Sequence, residues 1–389
     1  MPDHVKVPAT VLFRAFLRLG LTAFGGPAMV PYVRAVAVER KAWLTPRQFQ
    51  DGVALCQSIP GATVMQLVAY IGLKVGGPVG SLAAFLAFAL PAFGLMLALS
   101  AAYARTRDIS GVLAVFAGLQ VIVVALVANA AYDFGRKSIK DWRDGLLALG
   151  AGLLILFGGN PVVAICAAAL AGLVVYPRAQ SGQAPPAGRE DPGKRGAWHG
   201  AGLALAALAA GLLGLYLVDA QLFDLAALMV KVDIFAMGGG FASLPLMHHE
   251  MVELRGWFDG RTFMDGIALG QVTPGPIVIT ATFAGYLLHG FLGAVVGTVA
   301  VFSPSLIILW AVFPHFERLR RNPTFQRVLR GSLACFVGLL SAVAVRFALD
   351  APWSPAGVVL ALAALAALLR KVDILWVVLA GAALFLAIM

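Results

Sequence analysis

Long apolar runs recur along the chain and constrain its fold more than any other feature. Runs of about 20 residues or more include 78–104, 109–132 and 201–218. Of the 389 residues, 60% are hydrophobic and 12% are charged, whereas a typical globular chain carries about 25% charged residues. Because lipid offers no hydrogen bonds to the backbone, only helices or closed barrels cross it, and runs of this length are helices. The sequence predicts an all-α polytopic membrane protein.

An internal duplication relates the two halves of the chain. With a shift of 214 positions and no gap, 19 of the 52 residues from Gly25 to Gly76 meet identical residues, where chance gives about five in so Ala-, Leu- and Gly-rich a chain. The identities include Pro31, Trp43, Arg47, Asp51, Gln57, Pro60 and Gly61, which meet Pro245, Trp257, Arg261, Asp265, Gln271, Pro274 and Gly275.

Each half contains six apolar segments, and one unpaired segment joins them. The segments lie near 9–33, 50–73, 78–104, 109–132, 145–158 and 161–176, then near 222–248, 264–288, 291–314, 328–349, 355–369 and 372–388. We therefore expect a first repeat over 1–176, a charged cytoplasmic loop plus a linking transmembrane helix over 177–221, and a second repeat over 222–389. The extra crossing inverts the second repeat, so the prediction is two inverted repeats with about 13 transmembrane segments.

Lys and Arg residues in the loops predict the orientation. With thirteen crossings, one side collects the basic residues of 136–143, 178–195 and 318–330, and the other has mainly those of 34–47 and 105–107. The richer side is expected to be cytoplasmic, which places the N-terminus inside and the C-terminus outside. We expect no nucleic-acid partner despite the net charge of +10, because the basic residues are spread over short loops.

Helix breaks recur at the same offsets in both halves. The Gly-rich breaks span Ala23–Pro31 and Ala236–Pro245, and the proline breaks span Cys56–Val64 and Gly270–Val278. Backbone freed by such breaks persists at membrane depth only where it is buried in protein or lines a watery cavity. A helix that restarts after a break directs its first N–H groups and its positive end at the gap. The breaks therefore predict an anion site near the midplane, with kinks for close helix packing as the alternative.

Polar, charged and backbone groups beside these breaks are the candidate substrate-binding residues. The predicted set is Arg18, Gly25, Gly26, Pro27, Gln57, Pro60, Gly61, Lys231, Gly238, Gly239, Gly240, Gln271, Pro274, Gly275 and Pro276. The two glutamines supply amide donors without a fixed charge, or else an interhelical hydrogen bond. Arg18 and Lys231 are cations within apolar runs, which are functional hypotheses by default. The alternatives are snorkelling to the interface or, for Lys231, pairing with Asp233 or Asp224.

Four acids that recur in both halves are candidates for proton coupling: Glu39, Asp51, Glu253 and Asp265. Asp51 and Asp265 also suit the N-caps of the helices that lead into the proline breaks.

Motifs of enzymes and of metal sites are not recognised in the sequence. Cys56, Cys166 and Cys335 form no CxxC pair and are interpreted as buried apolar residues. His248–Glu250 lacks the HExxH spacing, and there is no P-loop. We expect no enzymatic activity, no cofactor and no metal.

The break motifs also resemble a known family. "FGGPAMVP" and "DGVALCQSIPG", repeated as "GGGFASLPL" and "GWFDGRTFMDGIALGQVTPGP" and followed by "GFLGAVVGTVAVFSPS", are similar to the chromate transporter (CHR) family in its long, two-domain form. The resemblance implies export of the chromate dianion across the bacterial cytoplasmic (inner) membrane, driven by the proton motive force and giving chromate resistance. It also implies sulfate as a related ligand. The chain departs from many members at Ala62, where they have a second proline, and at Met29, where they have histidine.

Three functions remain open from the sequence. The first is a secondary transporter whose partners are a chromate- or sulfate-like oxyanion, protons and the lipid bilayer. The second is an oxyanion channel that uses the same site without coupling. The third is a membrane-embedded chromate reductase, which the absence of clustered Cys, His or cofactor motifs argues against. A homodimer and a monomer are both compatible with the sequence.

Overall fold

Helices are the regular elements of the computed structural model, which describes residues 6–23, 29–177 and 193–388. In the first half they are α1 (Ala9–Thr22), α2 (Val30–Arg34) with a π-helical turn (Ala35–Arg40), α3 (Pro46–Ser58), α4 (Thr63–Thr106), α5 (Ser110–Ser138), α6 (Trp142–Leu156) and α7 (Pro161–Val175). Helix α8 (Gly193–Val218) links the halves. The predicted site residues Gly25, Gly26 and Pro27 lie outside the described residues.

The second half repeats the same order of elements. It contains α9 (Ala220–Phe235), a 3-10 turn (Gly240–Ala242), α10 (Ser243–His248), a π-helical turn (His249–Leu254), α11 (Gly260–Val272), a 3-10 turn (Ile277–Ile279), α12 (Thr280–Val312), a 3-10 turn (Phe313–His315), α13 (Phe316–Arg321), α14 (Pro323–Asp350), α15 (Pro355–Leu369) and α16 (Ile374–Ile388). Helix α8 has no counterpart in this order.

The bounds of the equivalent elements show how closely the halves correspond. The two π-helical turns, and likewise α3 and α11, differ by the predicted 214 positions. Beyond the proline breaks the offset becomes 213. The kinks show this, since α4 kinks at Gly77 (φ 67°) and α12 kinks at Gly290 (φ 60°). The ungapped alignment had paired Gly290 with Gly76. Each of these kinks has a positive φ, which glycine adopts without steric cost. Gly77, and not Gly76, is therefore the structural equivalent of Gly290.

Helix length shows what the breaks do. Five described helical stretches are long and apolar enough to cross a membrane: Thr63–Thr106, Ser110–Ser138, Gly196–Val218, Ile277–Arg321 and Pro323–Asp350. Helices α1, α3 and α11 have 13 or 14 residues, about 20 Å each, against a hydrocarbon core of about 30 Å. These lengths agree with an all-α membrane protein whose spans are broken inside the bundle. Thirteen crossings and the inverted orientation stay predictions.

The last two helices of each half pack on the other half. Helices α6 and α7 lie against α14, whereas α15 and α16 lie against α5. A Cβ placed on Gly338 of α14 would lie 1.9 Å from the carbonyl oxygen of Ala148, and one on Gly331 would lie 2.3 Å from that of Ala168. A Cβ on Gly381 would lie 2.2 Å from Cδ1 of Ile122. Each half therefore packs its terminal helix pair on the other half, and the crossings at Gly331 and Gly338 leave no room for a side chain because backbone lies opposite.

A side chain at one of these crossings is expected to loosen this packing. In Gly338→Ala the new methyl meets a backbone carbonyl that cannot rotate away, so we expect a loss of about 1–3 kcal/mol in unfolding free energy. Gly150→Ala in α6 is the control, because nothing lies within 4 Å of a Cβ there. Thermal unfolding in detergent measures both variants. Equal midpoints for Gly338→Ala and the wild type would contradict the crossing described above.

Candidate functional site

The proline break of each half contacts the Gly-rich break of the other. The Gly61 N–H donates to the carbonyl of Ala236 at 2.8 Å, and the Gly275 N–H donates to the carbonyl of Ala23 at 3.2 Å. The two hydrogen bonds are equivalents under the repeat. A Cβ on Gly240 would lie 2.8 Å from Ile277, so the second Gly-rich break also touches its own proline break. The helix breaks therefore meet in one region of the bundle.

Glycine is required at the centre of each proline break. Gly61 has φ of 116° and Gly275 has φ of 120°, a region that L side chains rarely adopt. There is also no room, because a Cβ on Gly61 would lie 2.2 Å from Ser305 Oγ and one on Gly275 would lie 2.7 Å from Ala92 Cβ. The Pro-Gly pair thus recurs because both halves form the same backbone turn, and each turn is tightly packed against the other half.

Helix α4 begins at the first proline break without a capping side chain. Its N-cap is Ala62, whose N–H donates to Ser305 Oγ at 2.9 Å. The N–H groups of the first turn have no partner inside the helix, and the helix dipole makes this end positive. A Cβ on Gly239 (φ 106°) would lie 3.4 Å from Thr63 Oγ1. The positive end of α4 therefore faces the second Gly-rich break.

The two predicted glutamines differ in their surroundings. Gln57 is exposed at the end of α3. Gln271 is 5% exposed at the end of α11, and its Nε2 has no hydrogen-bond partner among the described residues. Pro274, Gly275 and Pro276 next to it are buried. Of the two amides, that of Gln271 is the free donor beside the breaks.

Lys231 belongs to a network of charges. Its Nζ donates to Glu250, which also accepts from Arg255, and Arg255 makes two hydrogen bonds with Asp224 at 3.0 and 2.9 Å. Neither expected partner of Lys231 pairs with it directly, since its partner is Glu250. The two cations and two anions balance, so this cluster holds α9 against the π-helical turn 249–254.

Arg18 lies on α1, one turn before the first Gly-rich break. It is exposed on α1, whose buried side chains Leu12, Phe16 and Leu19 lie on the opposite face.

Three of the four repeated acids are paired with cations or histidines. Glu39 is exposed and lies 3.5 Å from Arg34. Asp51 lies 3.4 Å from Arg320. Glu253 contacts three groups: Arg346 at 2.8 Å, His249 at 2.8 Å and His248 at 3.1 Å.

Asp265 is the buried acid of the four. It is 5% exposed and accepts hydrogen bonds from Tyr103 at 2.8 Å and Gln120 at 2.7 Å, so both carboxylate oxygens have partners. The interpretation of Asp51 and Asp265 as N-caps is wrong. Thr45 and Asp259 cap α3 and α11, because helix formation starts a full turn and more before the repeated aspartates.

Sequence reasoning missed three residues at the first proline break. Asp233 is 1% exposed, and its Oδ2 accepts from Ser305 Oγ at 2.7 Å. Gln66 is fully buried and donates to the carbonyl of Pro60 at 2.6 Å. Asp233 Oδ1 and Gln66 Oε1 have no hydrogen-bond partner among the described residues. The available signal was an acid inside an apolar run. The duplication could not mark Asp233 or Ser305: α1 and α9, which end at Thr22 and Phe235, are offset by 213 positions, as are the helices beyond the proline breaks, so Gly20 and Ala92 stand at the equivalent places.

Metal ligation is not indicated at this site. In the described ranges, no group of three or more His, Cys, Asp or Glu side chains is arranged to hold an ion.

Comparison with known proteins agrees with the duplicated architecture. The family model "Chromate transporter" matches residues 10–173 and again residues 223–386. The chain belongs to the chromate transporter family. The two matched stretches leave out α8 and begin within α1 and α9, so this family's unit is the repeat described above.

Relatives of this family match over most of their length. An uncharacterized transporter of Methanocaldococcus jannaschii is 42% identical over 95% of this chain and 91% of its own. The chromate transport protein of Cupriavidus metallidurans is 31% identical over 85% of this chain and 80% of its own, and that of Pseudomonas aeruginosa is 30% identical over 90% and 82%. No solved structure matches. The protein is therefore a membrane transporter rather than an enzyme.

Proposed function

We propose that the protein exports chromate across the cytoplasmic membrane as a secondary transporter energised by the proton motive force, giving chromate resistance. Relatives that match most of the chain carry the name chromate transport protein. The observation that carries the proposal is the reciprocal pair of hydrogen bonds from Gly61 and Gly275, which gathers the helix breaks around the uncapped start of α4. In this proposal the N-terminus lies in the cytoplasm and the C-terminus outside.

Backbone donors are the proposed binding groups. The first-turn N–H groups of α4 and the positive end of its dipole favour an anion. Gln271 Nε2, which is buried without a partner, adds a neutral donor. Such donors hold a tetrahedral dianion without a fixed positive charge at the site, which leaves release possible. Because these groups do not read the central atom, sulfate and other oxyanions are the alternative substrates.

The charged candidates take different parts in this proposal. Lys231 acts through the balanced network with Glu250 and contributes less charge at the breaks than a free cation would. Arg18 stays a candidate for attracting the anion before it binds. Asp265 is the repeated acid best placed for proton coupling, since it is buried between helices of both halves.

Transport assays on the purified protein in proteoliposomes test the proposal. Radiolabelled chromate is followed while the membrane potential and the pH gradient are imposed separately, with and without excess sulfate. We expect chromate to accumulate against its gradient and sulfate to compete. Purely passive flux under every imposed gradient would favour the channel, and reduction of the chromium would favour the reductase. Movement of sulfate without chromate would change the substrate and keep the site.

A further inference from the structure

Asp233 is the buried charge nearest the proposed anion site. Its Oδ2 is 2.7 Å from Ser305 Oγ, and that oxygen is 2.9 Å from the backbone nitrogen of Ala62, the N-cap of α4. A carboxylate thus lies two hydrogen bonds away from the helix end that is proposed to bind a dianion. The other carboxylate oxygen, Oδ1, is buried without a hydrogen-bond partner among the described residues.

Within the part of the chain that the structure describes, no cation is paired with this carboxylate. Its hydrogen-bond partner is the neutral Ser305 of α12, and Gln66 of α4 bonds to the backbone of the same break. On its own helix, Lys231 is bound to Glu250 and Asp224 is bound to Arg255. The other elements packed on α9 are α8, α10 and α12. Their described titratable groups are His199, His248, Tyr216, Tyr286 and His289, and the π-helical turn after α10 adds His249, Glu250 and Glu253.

Binding a dianion only two hydrogen bonds away from an ionised Asp233 costs electrostatic free energy. Two like charges in a poorly solvated region repel strongly, and one of them is neutralised instead. Either the anion or the carboxylate can take the proton that relieves this repulsion, and the carboxylate offers a buried oxygen without a hydrogen-bond partner among the described residues. Oδ1, which has no partner, is the atom open to a proton, while Oδ2 keeps its hydrogen bond from Ser305.

We propose that Asp233 takes up one proton when the oxyanion binds at the break, so that proton and oxyanion occupy the transporter together. This inference rests on the proposed function and assigns proton coupling to an acid that the duplication does not mark. Proton and anion then raise each other's affinity by the same factor, as linkage requires. The carried charge becomes −1 instead of −2, so the membrane potential, negative inside, is the part of the proton motive force that drives export, whereas a pH gradient that is acid outside opposes it.

Only the second half carries the Asp233–Ser305 pair, so the proposed proton uptake takes place at one site. Asp233 and Ser305 have Gly20 and Ala92 at the equivalent positions of the first half, which offer neither a carboxyl nor a hydroxyl group. One proton for each transported anion is the expected stoichiometry.

The test measures binding and proton uptake with one probe. Chromate is added to purified protein in weakly buffered detergent solution, in the alkaline range where chromate is a dianion, and a pH indicator reports proton uptake. For the wild type we expect about one proton per bound anion and an affinity that falls about tenfold per pH unit. In Asp233→Asn, which keeps an acceptor for Ser305, we expect tight binding without proton uptake and without pH dependence.

Two further variants make the result specific. Asp133→Asn removes an exposed acid paired with Lys371 and is expected to keep the proton uptake. Ser305→Ala keeps the carboxyl group but removes the donor that stabilises its charged form, and it places in this half the alanine that the other half carries. We expect its pH profile to move to higher pH, and this measurement stands if Asp233→Asn fails to fold.

The outcomes separate the two proposals. Proton uptake that persists in Asp233→Asn, or a Ser305→Ala profile identical to that of the wild type, overturns this inference. Wild-type binding of chromate without proton uptake also overturns it and leaves the proposed function intact. Absence of any oxyanion binding by the folded wild type overturns both.

Discussion

Alanine in place of Gly61 is expected to reduce oxyanion transport at least about tenfold, a rise of about 1.4 kcal/mol in the limiting barrier. Alanine in a left-handed backbone conformation costs about 1–2 kcal/mol. Its methyl would lie 2.2 Å from Ser305 Oγ and 2.8 Å from Gln66 Nε2, so either the turn moves or these side chains give up their hydrogen bonds to Ala62 and Pro60. Such movement displaces the N–H groups that we propose to hold the anion. The initial rate of chromate transport in proteoliposomes measures the effect.

Gly77→Ala is the matched control for this variant. Gly77 also has a positive φ, of 67°, but nothing lies within 4 Å of a Cβ there. It therefore also strains the backbone but without the collision, and we expect transport close to that of the wild type at equal amounts of folded protein. Equal losses in both variants would mean that backbone strain alone explains the effect, against a specific role for the break.

Replacement of Arg330 by methionine is expected to destabilise the fold by about 3–5 kcal/mol, the cost of leaving a buried charge unpaired. Arg330 of α14 donates to Asp144 at 2.9 and 2.8 Å and to Asp141 at 2.7 Å. Asp144, at the start of α6, is fully buried. Burial opposes its ionisation, but hydrogen bonds from Arg330, Tyr176 and two backbone N–H groups outweigh that and hold the pKa to about 2.

A double-mutant cycle distinguishes charge from packing. Because the folded-state pKa of Asp144 lies below its usual value, its contribution to stability is present at neutral pH and is lost as the pH falls towards 2. Combining Arg330→Met with Asp144→Asn removes the orphaned charge, so part of the stability should return. Lys371→Met breaks an exposed pair with Asp133 and should cost less than about 1 kcal/mol. Thermal midpoints in detergent compare the variants, and no recovery in the double variant would refute the charge argument.

The repeated features of the site could be predicted from the sequence. Identical spacing of the proline and glycine motifs predicted equivalent breaks, and Gly61 and Gly275 indeed have nearly the same φ. A duplication reveals what two halves share, because each copy confirms the other. It gives no information about features that only one half has, which is why Asp233 and Ser305 were missed.

The sequence also could not predict which distant side chains pair with each other. Lys231 has several acids within reach along the chain, and the bend of the π-helical turn decides that Glu250 is its partner. Likewise, alternation of apolar segments predicts helices but not which helices touch. Nothing in α6 or α7 indicates that they pack on α14 of the other half, since small residues suit any close crossing.

The exchange of terminal helix pairs has a consequence for how the chain is made. During synthesis α5 is complete long before α15 and α16, which cover it, have left the ribosome. The first half therefore enters the bilayer before the helices that cover α5 are made. In effect the two halves exchange helix pairs as the subunits of a domain-swapped dimer do, and α8 lies between them in one polypeptide.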